Sequence, residues 1–241
     1  RFPPRNKDQV MKKLVIILLL ISSSCLVGFD FTSWTTATGG VAGTHEGGAD
    51  PWTQRETFNA AGYDLTWAEY GTPDEDDTEN PLEGAQSCYF ANWFNHAATN
   101  DIPAGLVDEV WVYGIFRGRA TTVFDYPIKI RDSGGDAVSV RTLNTYGGAF
   151  QVYIDEAYRD VTAAVYNSNT VYHVLLHATS GTGDAKGEVW INTDGDFSGA
   201  ADVSIVNETM TSMSVLILRG LDDGGWWDDI RWGSGKDDVT P

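Results

Sequence analysis

From Phe29 onward apolar residues recur with a period of two rather than 3.6, and the clearest instance runs from Thr170 to Gly195. Tyr172, Val174, Leu176 and Ala178 fall on one face of a predicted strand; Val171, His173, Leu175, His177 and Thr179 fall on the other. The next segment, SGTGDAKG, predicts a wet loop that extends neither strand. EVWIN then resumes the apolar run, so the stretch reads as an antiparallel hairpin. In VDEVWVYGIFRGR, Val110, Val112 and Phe116 oppose Trp111, Tyr113 and Ile115. Both faces are apolar at its centre, which predicts a central strand.

Further strands are predicted at FDFTSW, DLTWAEYG, QSCYFANWF, YPIKIRD, DAVSVRTLN, FQVYIDEAY, VTAAVY, ADVSIV, MSVLILRG and GWWDDIRWG, with Gly, Pro, Asn and Asp between them. PDEDDTENPLEGA, with Asp74, Glu75, Asp76 and Asp77 at its densest, reads as an acidic surface loop. No helical apolar stripe of ten or more residues occurs. About a dozen strands and no helices predict an all-β chain, folded as a two-sheet antiparallel β-sandwich closed like a jelly roll.

The beginning of the chain has a different character. Met11-Lys12-Lys13 precedes the apolar run Leu14–Ile21, too short to span a bilayer but suited to an export signal over residues 11–24, with residues 1–10 an upstream extension. Ser22-Ser23-Ser24 supplies the small residues of a cleavage site directly before Cys25. Cys25 is therefore a lipidation candidate, although Ser22 stands where a lipobox carries an aliphatic residue. Residues 25–57 read as an N-terminal strand and Gly-rich loop joining the sandwich, 58–233 as the sandwich, and 234–241 as a polar tail or linker. The expected localisation is secreted or cell-surface, with membrane contact only through an N-terminal lipid.

Charge narrows the partners. Net charge is −18, and removal of residues 1–24 takes away five basic residues and one acidic, leaving 11 basic against 33 acidic. Such a field repels phosphate backbones, so nucleic acid is excluded as an expected partner, while cations and glycans remain. Cys88 is the one cysteine besides Cys25, so stability must come from the core, and a chain of this length suffices for one.

Four stretches occur in the order that a concanavalin A-like domain places them: LEGAQSCYF, VWVYGIFRG, VYHVLLHATSGTGDAKGEVWINTDG and WWDDIRWG. Together they resemble the laminin-G-like domains of bacterial surface and phage proteins. The resemblance implies a β-sandwich that binds glycans or serves as an adhesive or structural unit, and His173 matches a histidine common in that hairpin. The galactose-binding-like jelly roll is the alternative fold; those modules are usually shorter and lack the long central hairpin.

The E-x-D-x-x-E pattern of laminarinase-type glycosidases is absent, and Asp108-Glu109, Asp155-Glu156 and Asp228-Asp229 are strand neighbours, which alternation sends to opposite faces. A lyase would need Arg117, Arg141, Gln151, Tyr153 and His173 to converge. His173 and His177 sit two strand repeats apart, about 13 Å, too far to share one zinc ion. Calcium is the cofactor expected, with Asp228 and Asp229, then Asp194 and Asp196, then the acidic loop as candidate ligands. Trp52, Trp226 and Trp227 are candidate sugar platforms, since one of the adjacent pair must leave the core; Arg117, Arg141 and His173 complete the candidate ligand-binding set. The expectation is a non-catalytic glycan-binding or adhesion module, against a polysaccharide-degrading enzyme or a structural surface or virion component.

Overall fold

The computed structural model describes residues 35–37, 54–56, 67–71, 73–77, 81–83, 86–91, 97–119, 126–143, 149–154, 157–221 and 223–241. The export signal, Cys25 and Trp52 lie outside them. Sixteen strands occur among these residues. They are β1 (Thr35–Ala37), β2 (Gln54–Glu56), β3 (Trp67–Tyr70), β4 (Asp74–Asp77), β5 (Ser87–Phe90), β6 (Ala97–Asp101), β7 (Glu109–Gly118) and β8 (Ile128–Asp132). Then follow β9 (Asp136–Leu143), β10 (Ala149–Ile154), β11 (Ala157–Val165), β12 (Val171–Thr179), β13 (Gly181–Asn192), β14 (Val203–Met210), β15 (Met213–Arg219) and β16 (Gly225–Gly233), and a single helical turn, α1 (Lys236–Val239).

The strands form two antiparallel sheets packed face to face, as the period-two pattern predicts. Sheet I runs β1-β3-β6-β15-β8-β9-β10-β11, and sheet II runs β14-β13-β12-β7-β16-β5-β4, with β2 also paired to β16. The central hairpin is β12–β13, in register from His173 opposite Asn192 to Thr179 opposite Lys186. β7 lies between β12 and β16, the central place that its two apolar faces require. Two expectations change. SGTGDAKG is not a free loop: β13 begins at Gly181, and its first residues pair with β14 across a register shift, so the backbone groups there are satisfied by a third strand. Within the acidic stretch, Asp74–Asp77 is a strand beside β5, the last in the order of sheet II among the described residues.

Alternation sorts the side chains between core and outer faces. Tyr172, Val174, Leu176 and Ala178 of β12, with Val110, Val112 and Phe116 of β7, join Ile128, Ile130, Val138, Val140, Phe150 and Val152 of sheet I in one core. Tryptophans bind the layers together. Trp67 of sheet I meets Trp232 of sheet II edge to face at 6.1 Å, and the Trp227 indole N–H donates to the Arg219 carbonyl across the sandwich at 2.9 Å. Each such fully buried ring contributes about 2–3 kcal/mol of transfer free energy. Gly114 is what lets β7 approach them, since a Cβ there would lie 2.6 Å from Ile230 Cδ1.

Residues 234–241, read from sequence as a polar tail or linker, are packed. Val239 is fully buried in a second apolar cluster with Tyr113, Ile115, Leu175, Trp190 and Phe197, on the outer face of sheet II. Arg231 Nη1 donates to the carbonyls of Val239 and Thr240, and Lys236 Nζ donates to the carbonyl of Phe197. The segment covers a face that would otherwise expose its aromatic side chains to water.

Candidate functional site

The outer face of sheet II gathers its polar side chains in three rows, set by strand register. His173 of β12 lies opposite Ile115 of β7, which lies opposite Asp228 of β16; Leu175, Tyr113 and Arg231 form the next row; Val171, Arg117 and Trp226 form the row on the other side. The Tyr113 hydroxyl and His173 Nδ1 are 2.7 Å apart, with their rings stacked at 6.0 Å. Arg231 places its guanidinium 5.2 Å from the Tyr113 ring centre and grips the Asp229 carboxylate through Nε and Nη2. Tyr113, His173, Asp229 and Arg231 line a cavity of about 240 Å³, with Leu82, Ile115 and Val171 as its apolar walls. That is room for one small ring of polar outline and apolar faces.

A β-bulge makes this arrangement. Trp227, Ile230 and Trp232 are in the core, so two residues, Asp228 and Asp229, fall between the first two on the outer side. The β16–β7 register shifts between Asp228 and Arg231, and Asp229 adopts φ 45°, a left-handed conformation that is strained for a residue other than glycine. The expectation that these neighbours face opposite ways is thus corrected: the extra residue of the bulge puts both carboxylates on one side. They differ in environment. Asp228 is fully buried and accepts from Glu83 N, Asp229 N and Ser87 Oγ at 2.8–3.1 Å. Burial pushes its carboxyl up to about 7 against those three donors. Burial likewise pushes the His173 imidazole down, against the charges of Asp194 and Asp229, which favours its neutral form.

The other sequence candidates separate. Trp227 is no ligand platform: it is wholly within the core, packed on Phe116 at 4.8 Å. Trp226 does face outward, but Arg117 lies 4.3 Å above its ring and Tyr89 packs beside it at 4.9 Å, leaving 6% of it exposed. Arg141, Gln151 and Tyr153 lie on sheet I, whereas Arg117 and His173 lie on sheet II, so the five residues of a lyase-like cleft do not converge. The two histidines have separate partners, because His177 stacks on Trp111 at 3.9 Å and bridges Glu188 and Glu109.

The acids first preferred for calcium already have protein partners. Arg231 sits on Asp229, and N–H and O–H donors surround Asp228 where a cation would need oxygen lone pairs. Among the described residues no group of three or more His, Cys, Asp or Glu is placed to hold a metal ion. Asp194 and Asp196 stay exposed, accepting from the backbone N–H groups of Asp196 and Ser198. Sequence reasoning missed Tyr113 and Arg231 as site residues. Tyr113 was legible as the outward neighbour of His173 in an adjacent strand pattern, and Arg231 needed the bulge.

No family model matches the chain, and no curated protein matches it by sequence. Solved structures do share its fold. It is similar to Trypanosoma rangeli sialidase in complex with 2,3-difluorosialic acid, at 12% identity and a TM-score of 0.56, over 83% of this chain and 33% of that one. It is also similar to the GH43 protein BlXynB from Bacillus licheniformis, at 8% identity and a TM-score of 0.54, over 75% of this chain and 39% of that one. The chain thus spans about a third of the length of these proteins. The shared feature is the antiparallel β-sandwich.

Proposed function

We propose that this protein is a non-catalytic glycan-binding or adhesion module of the laminin-G-like kind, exported through residues 11–24 and holding a sugar residue in the sheet II cavity. The observation that carries the reading is the pairing of Tyr113–His173 with Asp229–Arg231 around apolar walls. A pyranose ring presents hydroxyls at its rim and C–H groups on its faces. Here the rim meets an imidazole, a phenol and a carboxylate paired with a guanidinium, while the faces meet Tyr113, Ile115 and Val171. The β-sandwich is a fold on which sugar-handling proteins are built, and the site rather than the fold carries the argument.

A second reading, hydrolysis, has one observation in its favour: the bulge turns two carboxylates of unlike environment to the same side. Asp229 lines the cavity and Asp228 does not, so an acid and a base do not both reach a bound ring. A glycan array run alongside reducing-sugar release tests both. Binding to a restricted set of glycans, lost in His173→Gln, with no release above buffer, is the expected result. Release of reducing ends would transfer the site to the enzyme reading, and absence of both signals would favour a structural role.

A further inference from the structure

We propose, resting on the reading of the sheet II cavity as a sugar site, that Asp228 is a positioning residue for that site: its carboxylate fastens the Leu82–Glu83 wall of the cavity to the β16 bulge. Leu82 and Glu83 line the cavity, yet residues 81–83 belong to no strand. Their two backbone N–H groups donate to side chains instead. Leu82 N donates to Ser87 Oγ at 2.8 Å, and Glu83 N donates to Asp228 Oδ2 at 2.8 Å. Ser87 Oγ in turn donates to the same Asp228 oxygen at 3.1 Å. The other oxygen, Oδ1, accepts from Asp229 N at 2.8 Å, and Asp229 is the cavity residue whose φ of 45° forms the bulge. One carboxylate therefore joins two sides of the cavity that stand 145 residues apart in sequence. The fastening is interior and the wall is not: Asp228 and Ser87 are fully buried, whereas Leu82 is half-buried and Glu83 exposed.

Protonation sets how firmly the wall is held. Ionised, the carboxylate offers lone pairs to all three donors, and charge-assisted hydrogen bonds of this kind are about twice as strong as neutral ones. Protonated, it must donate. The acceptor at hand is Ser87 Oγ, whose bond to Asp228 then reverses, and the Glu83 N–H is left with an uncharged oxygen. Burial pushes this carboxyl up to about 7 against its donors, so the change falls near neutral pH. Among the described residues the charged groups around it are Asp229, whose charge opposes its ionisation, Arg231, which grips Asp229, Glu83 on the wall, and His173, one strand beyond Ile115. β5 presents the neutral Ser87 and β7 the apolar Ile115.

Proton and ligand then compete. A ring that needs the wall in place favours the ionised form, so affinity should rise with pH through about 7. Fold stability moves the other way, because the proton that the fold retains is the one that the fastened wall must release.

The test follows the backbone amide resonances of Leu82, Glu83 and Asp229 in the full chain, without ligand, from about pH 5 to about pH 9, beside a printed glycan array run at about pH 6 and about pH 8. The Glu83 and Asp229 amides should titrate together with a midpoint near about 7, with Leu82 following through Ser87. Asp228→Asn should flatten all three. Ser87→Ala should silence Leu82 and leave Glu83 titrating, which keeps the test open if Asp228→Asn fails to fold. On the array, wild-type binding should be up to about tenfold weaker at the lower pH, as the competent fraction falls, and the difference should be lost in Asp228→Asn. Leu82 and Glu83 amides that ignore pH, or that titrate unchanged in Asp228→Asn, would overturn the proposal, as would glycan binding indifferent to pH while those amides titrate. Titrating amides with no glycan retained at either pH would uphold the fastening of the wall and sink the sugar reading instead.

Discussion

Sheet II dresses its outer face with aromatic rings and acids and then covers part of it with residues 236–240, tied down by Arg231 and Lys236. Sheet I dresses the same side of the same kind of scaffold with Lys129, Arg131, Arg141 and Arg219 around two tyrosines. The inner faces are alike, both aliphatic and aromatic, so the difference is not one the fold demands. It teaches that overall charge does not fix where charges fall: an acidic chain can gather cations on one side of a sheet wherever alternation aligns a few residues across paired strands.

If Arg231 holds the sheet II face together, its loss should be the most damaging change on either outer face. Arg231→Ala leaves Asp229 buried without its cation, removes the contact on Tyr113 and frees the carbonyls of Val239 and Thr240. Removing one partner of a buried pair costs about 3–5 kcal/mol, and urea denaturation should show it. Lys129→Gln on sheet I, half-buried beside Tyr126, should cost under about 1 kcal/mol by the same measurement. Equal losses would erase the distinction between the two faces.

Proton linkage sharpens the contrast. Asp228 has an ordinary value of 3.8 when unfolded and about 7 when folded, so between those pH values the folded chain keeps a proton that the unfolded chain has released. Stability should therefore fall as pH rises from about 4 to about 7, by a few kcal/mol, and level off above. Asp228→Asn should flatten that slope; a wild-type slope in the variant would place its origin elsewhere.

Next in size comes Val239→Ala, which empties a buried site beneath the covering segment and should cost about 2 kcal/mol. A cost near zero would mean that residues 236–240 do not cover the face in solution. Calcium is expected to have the smallest effect, since Arg231 and N–H donors already satisfy the two acids of β16. Any rise in melting temperature in calcium over EDTA should be about 2 °C or less and should vanish in Asp194→Asn, which removes one of the exposed acids at the hairpin end. A larger rise that survives this substitution would point to another site.

The sandwich was legible because alternation is a local signal: the division of β12 into Tyr172, Val174, Leu176 and Ala178 against Val171, His173, Leu175 and His177 holds residue by residue. The bulge was legible only in part. The spacing of three from Trp227 to Ile230, followed by two to Trp232, is the trace of a phase shift, but confirming it takes the register with β7. The cover over sheet II rests on one apolar residue, Val239, in a polar segment, and no periodicity shows it. Of the sheet I cations, Lys129, Arg131 and Arg141 lie on consecutive strands, whereas Arg219 joins them only through topology, since β15, far away in sequence, lies beside β8.

The central claim, that a sugar ring sits between Tyr113, His173 and Asp229, is tested most directly by following the His173 imidazole resonances in nuclear magnetic resonance spectra during titration with glycans selected from the array. The account predicts a saturable shift of the His173 signals at pH 7, abolished in Tyr113→Phe, with the His177 signals unmoved. Binding that leaves His173 unperturbed, or that shifts His177 in its place, would contradict it.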